Sequence, residues 1–271
     1  MTDRLEITIL GSGSSGGVPR ADGDWGRCDP VEPKNLRTRC SLLVRRRTDA
    51  AEAELTTVLV DTSPDLRLQT AAAGATRMDA ALYTHDHADQ AHGIDDLRAF
   101  AIRMRRRVPC YMDAATAESL ARRRFAYIFK GEGGYPAICD LHDLPTHGER
   151  WQVDGPSGPV PIQNFEVDHG GMPAVGYRFG DVGYCPDVVR LAPAAMEALG
   201  GLEVFIVDAL RDTPHPTHAH VELALDWIAE LKPRRAILTN LHIDLDYETL
   251  KWRLPPGVEP AYDGLRFESS V

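Results

Sequence analysis

Two histidines and an aspartate alternate in "THDHADQAHG" at 84–93, as His85, His87 and Asp89. Residues two apart on an extended segment share a side, so both imidazoles would face the same way, with Asp89 able to reach a neighbouring point. Neutral imidazole and carboxylate oxygen are the donors that zinc and manganese take from proteins. Further groups of this kind, Asp61, His169, Asp187, Asp208 and His242, each stand at or just past the polar end of a strand-like run. In sheets covered by helices that edge is where functional groups gather. Two metals a few ångströms apart need about seven donors with a bridging carboxylate among them. A lone histidine in a polar loop is ordinarily a satisfied structural group. Three ligand-type residues in five positions, followed by "DHG" and "PDV" after later strands, point instead to metal-assisted chemistry.

Short β-rich runs must position these groups: "LEITIL" at 5–10, "CSLLV" at 40–44, "TTVLVD" at 56–61, "AALYT" at 80–84, "VPCYM" at 108–112, "IQNFEV" at 162–167, "AVGYRF" at 174–179, "VFIVD" at 204–208 and "AILT" at 236–239. Helical periods lie between some of them. The clearest is "HVELALDWIAELK" at 220–232, where Val221, Ala224, Leu225, Ile228 and Leu231 share one face. The Gly/Pro-rich piece at 130–151 has neither period and is expected to be a mobile loop or the joint between two halves of similar grain. The whole chain, 1–271, is expected to form one α/β domain.

Composition narrows the classes. A chain of 271 residues, 43% hydrophobic, can bury a substantial core. Its formal charge of −10 opposes broad adhesion to nucleic acid or anionic membrane. The arginine runs at 45–47, 103–107 and 122–124 lack interleaved aromatics and are expected as solvated faces. No stretch approaches the roughly 20 apolar residues of a membrane span, and the acid at Asp3 opposes a signal peptide. Five cysteines, odd in number and without a CxxC pair, fit a reducing compartment. A cytoplasmic location is expected. Met104, Trp227 and Trp252 read as core or interface residues.

"THDHADQAHGIDDLR" resembles the HxHxDH signature of metallo-β-lactamase-fold hydrolases, and "LGSGSSGGVPR", "WGRCDP" and "GIDDLR" resemble the branch containing phosphoribosyl cyclic phosphate phosphodiesterase. The resemblance implies a four-layer αββα sandwich with a two-metal site at one sheet edge. It implies that His85, His87 and His169 bind the first metal, that Asp187 bridges, and that Asp89 binds the second. The last ligand would follow the run "ILTNLHID", where His242 is favoured over Asn240. Gln90 replaces the signature's final histidine. An amide oxygen is a weaker zinc donor than imidazole and suits manganese better, so the second site should be weak or prefer Mn²⁺; His92 would need a different loop path to substitute. The branch's structural zinc is expected to be missing, since only Cys28 lies in the relevant stretch, leaving Cys28 and Cys40 as small core residues.

The same resemblance implies a hydroxide held between two Zn or Mn ions attacking phosphorus, with Asp89 at the reacting centre and a group that protonates the leaving alkoxide. His220, directly before the helical run, is the favoured acid in "HPTHAHVEL", with His218 its rival. Ser14 in the glycine-rich loop, Arg20 and Arg98 are candidate contacts to substrate phosphate, and structural salt bridges compete for the arginines. The expected function is hydrolysis of a small cyclic or nucleotide-like phosphodiester, with the substrate as partner, nucleic acid not expected, and a homodimer by likeness to dimeric relatives. The alternatives are a non-catalytic nucleotide-binding protein on the same scaffold, a transfer RNA processing nuclease using 113–150 as its grip, or an ester or lactone hydrolase.

Overall fold

The computed structural model describes residues 4–47 and 55–271; residues 1–3, on which the signal-peptide reading draws, lie outside them. The first sheet is built by β1 (Arg4–Gly11), β2 (Ser41–Arg47), β3 (Thr56–Val60), β4 (Ala80–Leu82), β5 (Val108–Met112) and β6 (Cys139–Asp143). The second uses β7 (Arg150–Val153), β8 (Val160–Asp168), β9 (Pro173–Phe179), β10 (Val182–Cys185), β11 (Val204–Asp208), β12 (Arg235–Thr239) and β13 (Val258–Pro260). The last strand, β14 (Arg266–Ser270), returns to pair antiparallel with β1. The spatial orders are β14-β1-β2-β3-β4-β5-β6 and β13-β12-β11-β10-β9-β8-β7. Both sheets are mixed: β3 to β6 and β10 to β13 run parallel, and the remaining pairs are antiparallel.

The alternation of side chains along each strand explains the layers. Val58 and Val60 of β3 join Val204 and Ile206 of β11 in one core between the sheets, while Leu59 faces a second core and Phe205 and Val207 a third. Every residue of β3 and β11 is therefore buried, because both faces of each strand are covered. Burying one such branched side chain contributes roughly 1.5–3 kcal/mol. The second core is closed by α1 (Leu66–Ala72), α3 (Leu97–Met104), α4 (Ala114–Ser119) and α5 (Ala126–Lys130), with the short α2 (Ala88–Ala91) preceding α3. The third is closed by α6 (Pro193–Ala198), α7 (Val221–Leu231) and α8 (Tyr247–Arg253). Helix, sheet, sheet, helix is the expected four-layer αββα sandwich of metallo-β-lactamase type.

α7 fills the helical period foreseen at 220–232, and Trp227 is buried against its sheet. Trp252 is not core: it is 89% exposed. The stretch at 130–151 is also more ordered than its composition suggests. It holds β6 and the start of β7, and the chain crosses between the two sheets there. β6 buries only its first residue fully and is an edge strand, so its sequence shows no two-residue alternation.

The arginine runs are drawn into local pairs. Arg45 reaches Glu6 at 2.8 Å, Arg107 reaches Asp140 at 3.0 Å, and Arg106 pairs with the buried Asp79. Arg123 binds Glu118 at 2.9 Å, and Arg124 binds Asp86 at 2.9 Å. All five cysteines are buried with free thiols, Cys28 and Cys40 included. Among the described residues, no helix is long and apolar enough to cross a membrane.

Candidate metal centre

The ends of β3, β4, β8, β10, β11 and β12 deliver the polar groups to one place. β3 runs into Asp61, β4 into Thr84 and His85, β8 into His169, β10 into Asp187, β11 ends on Asp208, and β12 leads to Asn240 and His242. The loop from 85 to 93 turns back at Gly93, whose N–H donates to the Thr62 carbonyl at 2.8 Å. A Cβ on Gly93 would stand 2.0 Å from the Ser63 oxygen, so only glycine lets the two loops approach.

Three imidazoles converge. Ring centroids of His85 and His87 are 4.5 Å apart, those of His85 and His169 5.1 Å, and those of His87 and His169 5.2 Å. One ligand atom from each lies within 4.8 Å of the others. The outer nitrogens are fixed from behind. Asp61 accepts from both the N–H and the hydroxyl of Thr84, each at 2.8 Å. With its proton committed to Asp61, the Thr84 oxygen accepts from His85 Nδ1 at 3.0 Å. His169 Nδ1 donates to the Thr217 carbonyl at 2.7 Å. Both rings therefore turn Nε2, as a lone pair, toward the convergence point, the arrangement that metal-ligating histidines adopt.

His85 Nε2 is buried and has no hydrogen-bond partner. A buried nitrogen without a partner is costly, and a divalent cation is the group that three converging neutral imidazoles fit. Burial holds the imidazoles neutral: His85 is pushed well below its ordinary range by desolvation and then by His87 and His169, and His169 is lowered to about 4, again by burial first and then by His218. Burial raises Asp61 to about 8, opposed by the bonds from Thr84; a cation at the neighbouring imidazoles would favour the ionised form that accepts from Thr84. Asp61 holds a left-handed backbone, φ 62°, as the strand turns under the site.

A second cluster shares His169 and adds Asp187 and His218. Asp187 is driven up by burial and then by the neighbouring carboxylates of Asp89, Asp208 and Asp61. His218 Nδ1 meets Asp208 Oδ2 at 2.8 Å and lies 3.7 Å from Asp187 Oδ1. Asp208 also accepts from Val188 N and from Asn240 Nδ2, both at 3.1 Å.

His87, His169, Asp187, His218 and Asn240 border a cavity of about 600 Å³, whose lining also includes Ser14, Arg20, Arg211 and His242. The profile of a beta-lactamase superfamily domain matches residues 56–243, which contain both clusters. The chain belongs to the beta-lactamase superfamily.

Solved structures share the fold over nearly the whole chain. A diphosphatase from the PhnP family is 34% identical, with a TM-score of 0.86 and coverage of 100% of this chain and 99% of that one. Zn²⁺-bound PqqB from Methylobacterium extorquens shares the fold at 19% identity and a TM-score of 0.71, covering 97% of this chain and 99% of that one. An octanoyltransferase of Porphyromonas gingivalis strain ATCC BAA-308 / W83 is 32% identical over 96% of this chain, which spans 51% of that protein's length.

The superfamily scaffold does not bring every expected site residue to the centre. Asp89 lines the cavity but joins neither three-residue cluster. Gln90 was expected to offer its amide oxygen to a second metal; instead its Nε2 faces Asp187 Oδ2 at 3.0 Å, because two carboxylates call for a donor. His242 lines the cavity with both ring nitrogens engaged, Nε2 by Arg20 at 2.6 Å and Nδ1 by Asp244 at 2.9 Å. His220 occupies the position before α7 and is not among the cavity-lining residues, whereas His218 and His215 are. Ser14 and Arg20 stand in the cavity wall. Arg98 does not: it pairs with Asp95 at 2.8 Å and borders a separate cavity beside Tyr135. His92 packs on the ring of Phe125 at 5.4 Å.

Proposed function

We propose that the chain is a metal-dependent hydrolase of small phosphorylated substrates, cleaving a phosphodiester or the chemically related diphosphate linkage. The observation that carries this reading is the partnerless Nε2 of His85, converging with His87 and His169 beside a cavity that Arg20 and Arg211 also line. Likeness across the full chain to a PhnP-family diphosphatase supports the substrate class.

His85, His87 and His169 would hold the ion, with Asp187 beside them. A divalent ion, Zn²⁺ or Mn²⁺, supplies Lewis acidity toward a phosphoryl oxygen and lowers the pKa of water at the site. Arg20, already fixed by His242, offers its remaining guanidinium N–H groups to anionic oxygens, and Ser14 borders the same wall. Asp208 holds His218 by Nδ1, which selects the tautomer and orientation of a ring that can deliver a proton to a departing oxygen from Nε2. His218 thus replaces His220 in the proton-donor role.

The test is turnover of a small panel by metal-restored protein: phosphoribosyl cyclic phosphate, a 2′,3′-cyclic nucleotide, a nucleoside diphosphate derivative and a lactone. Hydrolysis confined to the phosphorylated members is expected. Hydrolysis of the lactone alone would contradict the substrate class, and binding of nucleotides without turnover would favour a non-catalytic binding protein.

A further inference from the structure

The centre contains an amide where the electrostatics call for a cation. Gln90 is fully buried on α2. Its Nε2 lies 3.0 Å from Asp187 Oδ2 and 3.4 Å from Asp89 Oδ2, so the NH₂ group stands between one carboxylate past β10 and another on α2 itself. Its Oε1 is buried without a partner. The amide therefore turns its two N–H dipoles to the carboxylates and leaves its acceptor unpaired, which is the polarity opposite to that of a metal ligand.

The neighbouring positions share this polarity. Asn240 aims Nδ2 at Asp208 at 3.1 Å, and the lone pair of His242 Nε2 is taken by Arg20. Three side chains around the centre that could present a neutral donor atom to an ion, Gln90, Asn240 and His242, thus present N–H groups or are already bonded. His85, His87 and His169, by contrast, face one another as lone-pair donors with His85 Nε2 unpartnered, while the adjoining His218 is held by Asp208.

We infer that this chain holds a single divalent ion, at His85, His87 and His169, and that the Gln90 amide takes the place of a second ion by bridging Asp89 and Asp187. The amide links the two carboxylates by hydrogen bonds but neutralises neither, so it fixes their positions and supplies no Lewis acid. This inference rests on the proposed metal-dependent reading and narrows it to one ion.

The experiment is metal stoichiometry. Metal-stripped protein is dialysed to equilibrium against excess Zn²⁺ or Mn²⁺, and metal per folded chain is measured by mass spectrometry. The Mn²⁺ form is also examined by electron paramagnetic resonance for an isolated ion against an exchange-coupled pair. Wild type should hold one ion with the isolated signal, and Gln90→His or Gln90→Glu should hold two with the coupled signal. Two ions in wild type would overturn the inference and leave the metal-dependent reading standing. No bound ion in wild type would overturn that reading as well. One ion in wild type and in both variants, with folding verified by circular dichroism, would remove the role given to Gln90. If the variants fail to fold, the wild-type count and signal decide.

Discussion

Arg124 grips Asp86 twice, through the backbone carbonyl at 2.7 Å and the carboxylate at 2.9 Å. Asp86 stands between His85 and His87, and Ser119 also donates to its carboxylate at 2.5 Å. The helical segment after β5 thus holds the metal loop from outside. Groups that orient ligands commonly govern metal affinity by 10- to 100-fold. Arg124→Ala should weaken metal binding by about tenfold in a chelator-competition titration, while the melting temperature barely moves because an exposed pair contributes little. Unchanged affinity would mean the loop holds its shape without this contact.

Asp61 sets the tautomer of His85 through one hydroxyl. In Asp61→Asn the amide oxygen can still accept from the Thr84 N–H, but the amide NH₂ faces the Thr84 oxygen as a donor. The Thr84 proton then turns to His85 Nδ1, and the ring proton moves to Nε2, the atom needed for metal. Asparagine tolerates the left-handed backbone at this position. The variant should fold normally and bind metal roughly 10- to 100-fold more weakly, which calorimetric titration against a stability measurement would separate.

How much of this could be read from sequence follows from the range of the contacts. The alternation of His85 and His87, the later "DHG", and the strand runs are local patterns, and the fold confirms the layers they imply. The polarity of the site is not local. His242 is engaged by Arg20 from 222 positions away, and Gln90 by Asp187 from 97. His218 is drawn in by Asp208, and nothing in "HPTHAHVEL" distinguishes it from His220. Arg98 is different: its i,i+3 spacing from Asp95 was a visible signal for a surface pair. β6 escaped because an edge strand flanked by glycine and proline needs little alternation.

His218 has two possible duties, proton donor and metal ligand, since it belongs to the second cluster. Held by Asp208 through Nδ1, it should act as the donor. His218→Ala is expected to lower kcat by about 10²- to 10⁴-fold, the range for a lost general acid, with metal content unchanged. Loss of bound metal in this variant would assign it the other duty.

Asp246 ties α8 to the loop before β2. It accepts from Thr249 N at 3.0 Å, Asn35 Nδ2 at 2.7 Å and Asp29 N at 3.2 Å. Burial alone would raise its pKa, but these bonds win and hold it at about 2 against an ordinary 3.8. A carboxyl lowered in the fold stabilises it above the unfolded pKa, and that contribution fades as pH falls from about 4 to about 2. Asp246→Ala should cost about 1–2 kcal/mol at neutral pH, as loss of a helix cap does. The gap from wild type in denaturant midpoints should narrow through that acid window.

The central claim is that the three converging imidazoles carry a metal on which hydrolysis depends. The most direct measurement is hydrolysis of a chromogenic phosphodiester by chelator-stripped protein before and after Zn²⁺ or Mn²⁺ is restored, with His87→Ala, verified as folded, treated alike. The account predicts no turnover by the stripped protein, recovery on adding metal, and no recovery in the variant. Equal turnover by stripped, restored and variant protein would contradict it.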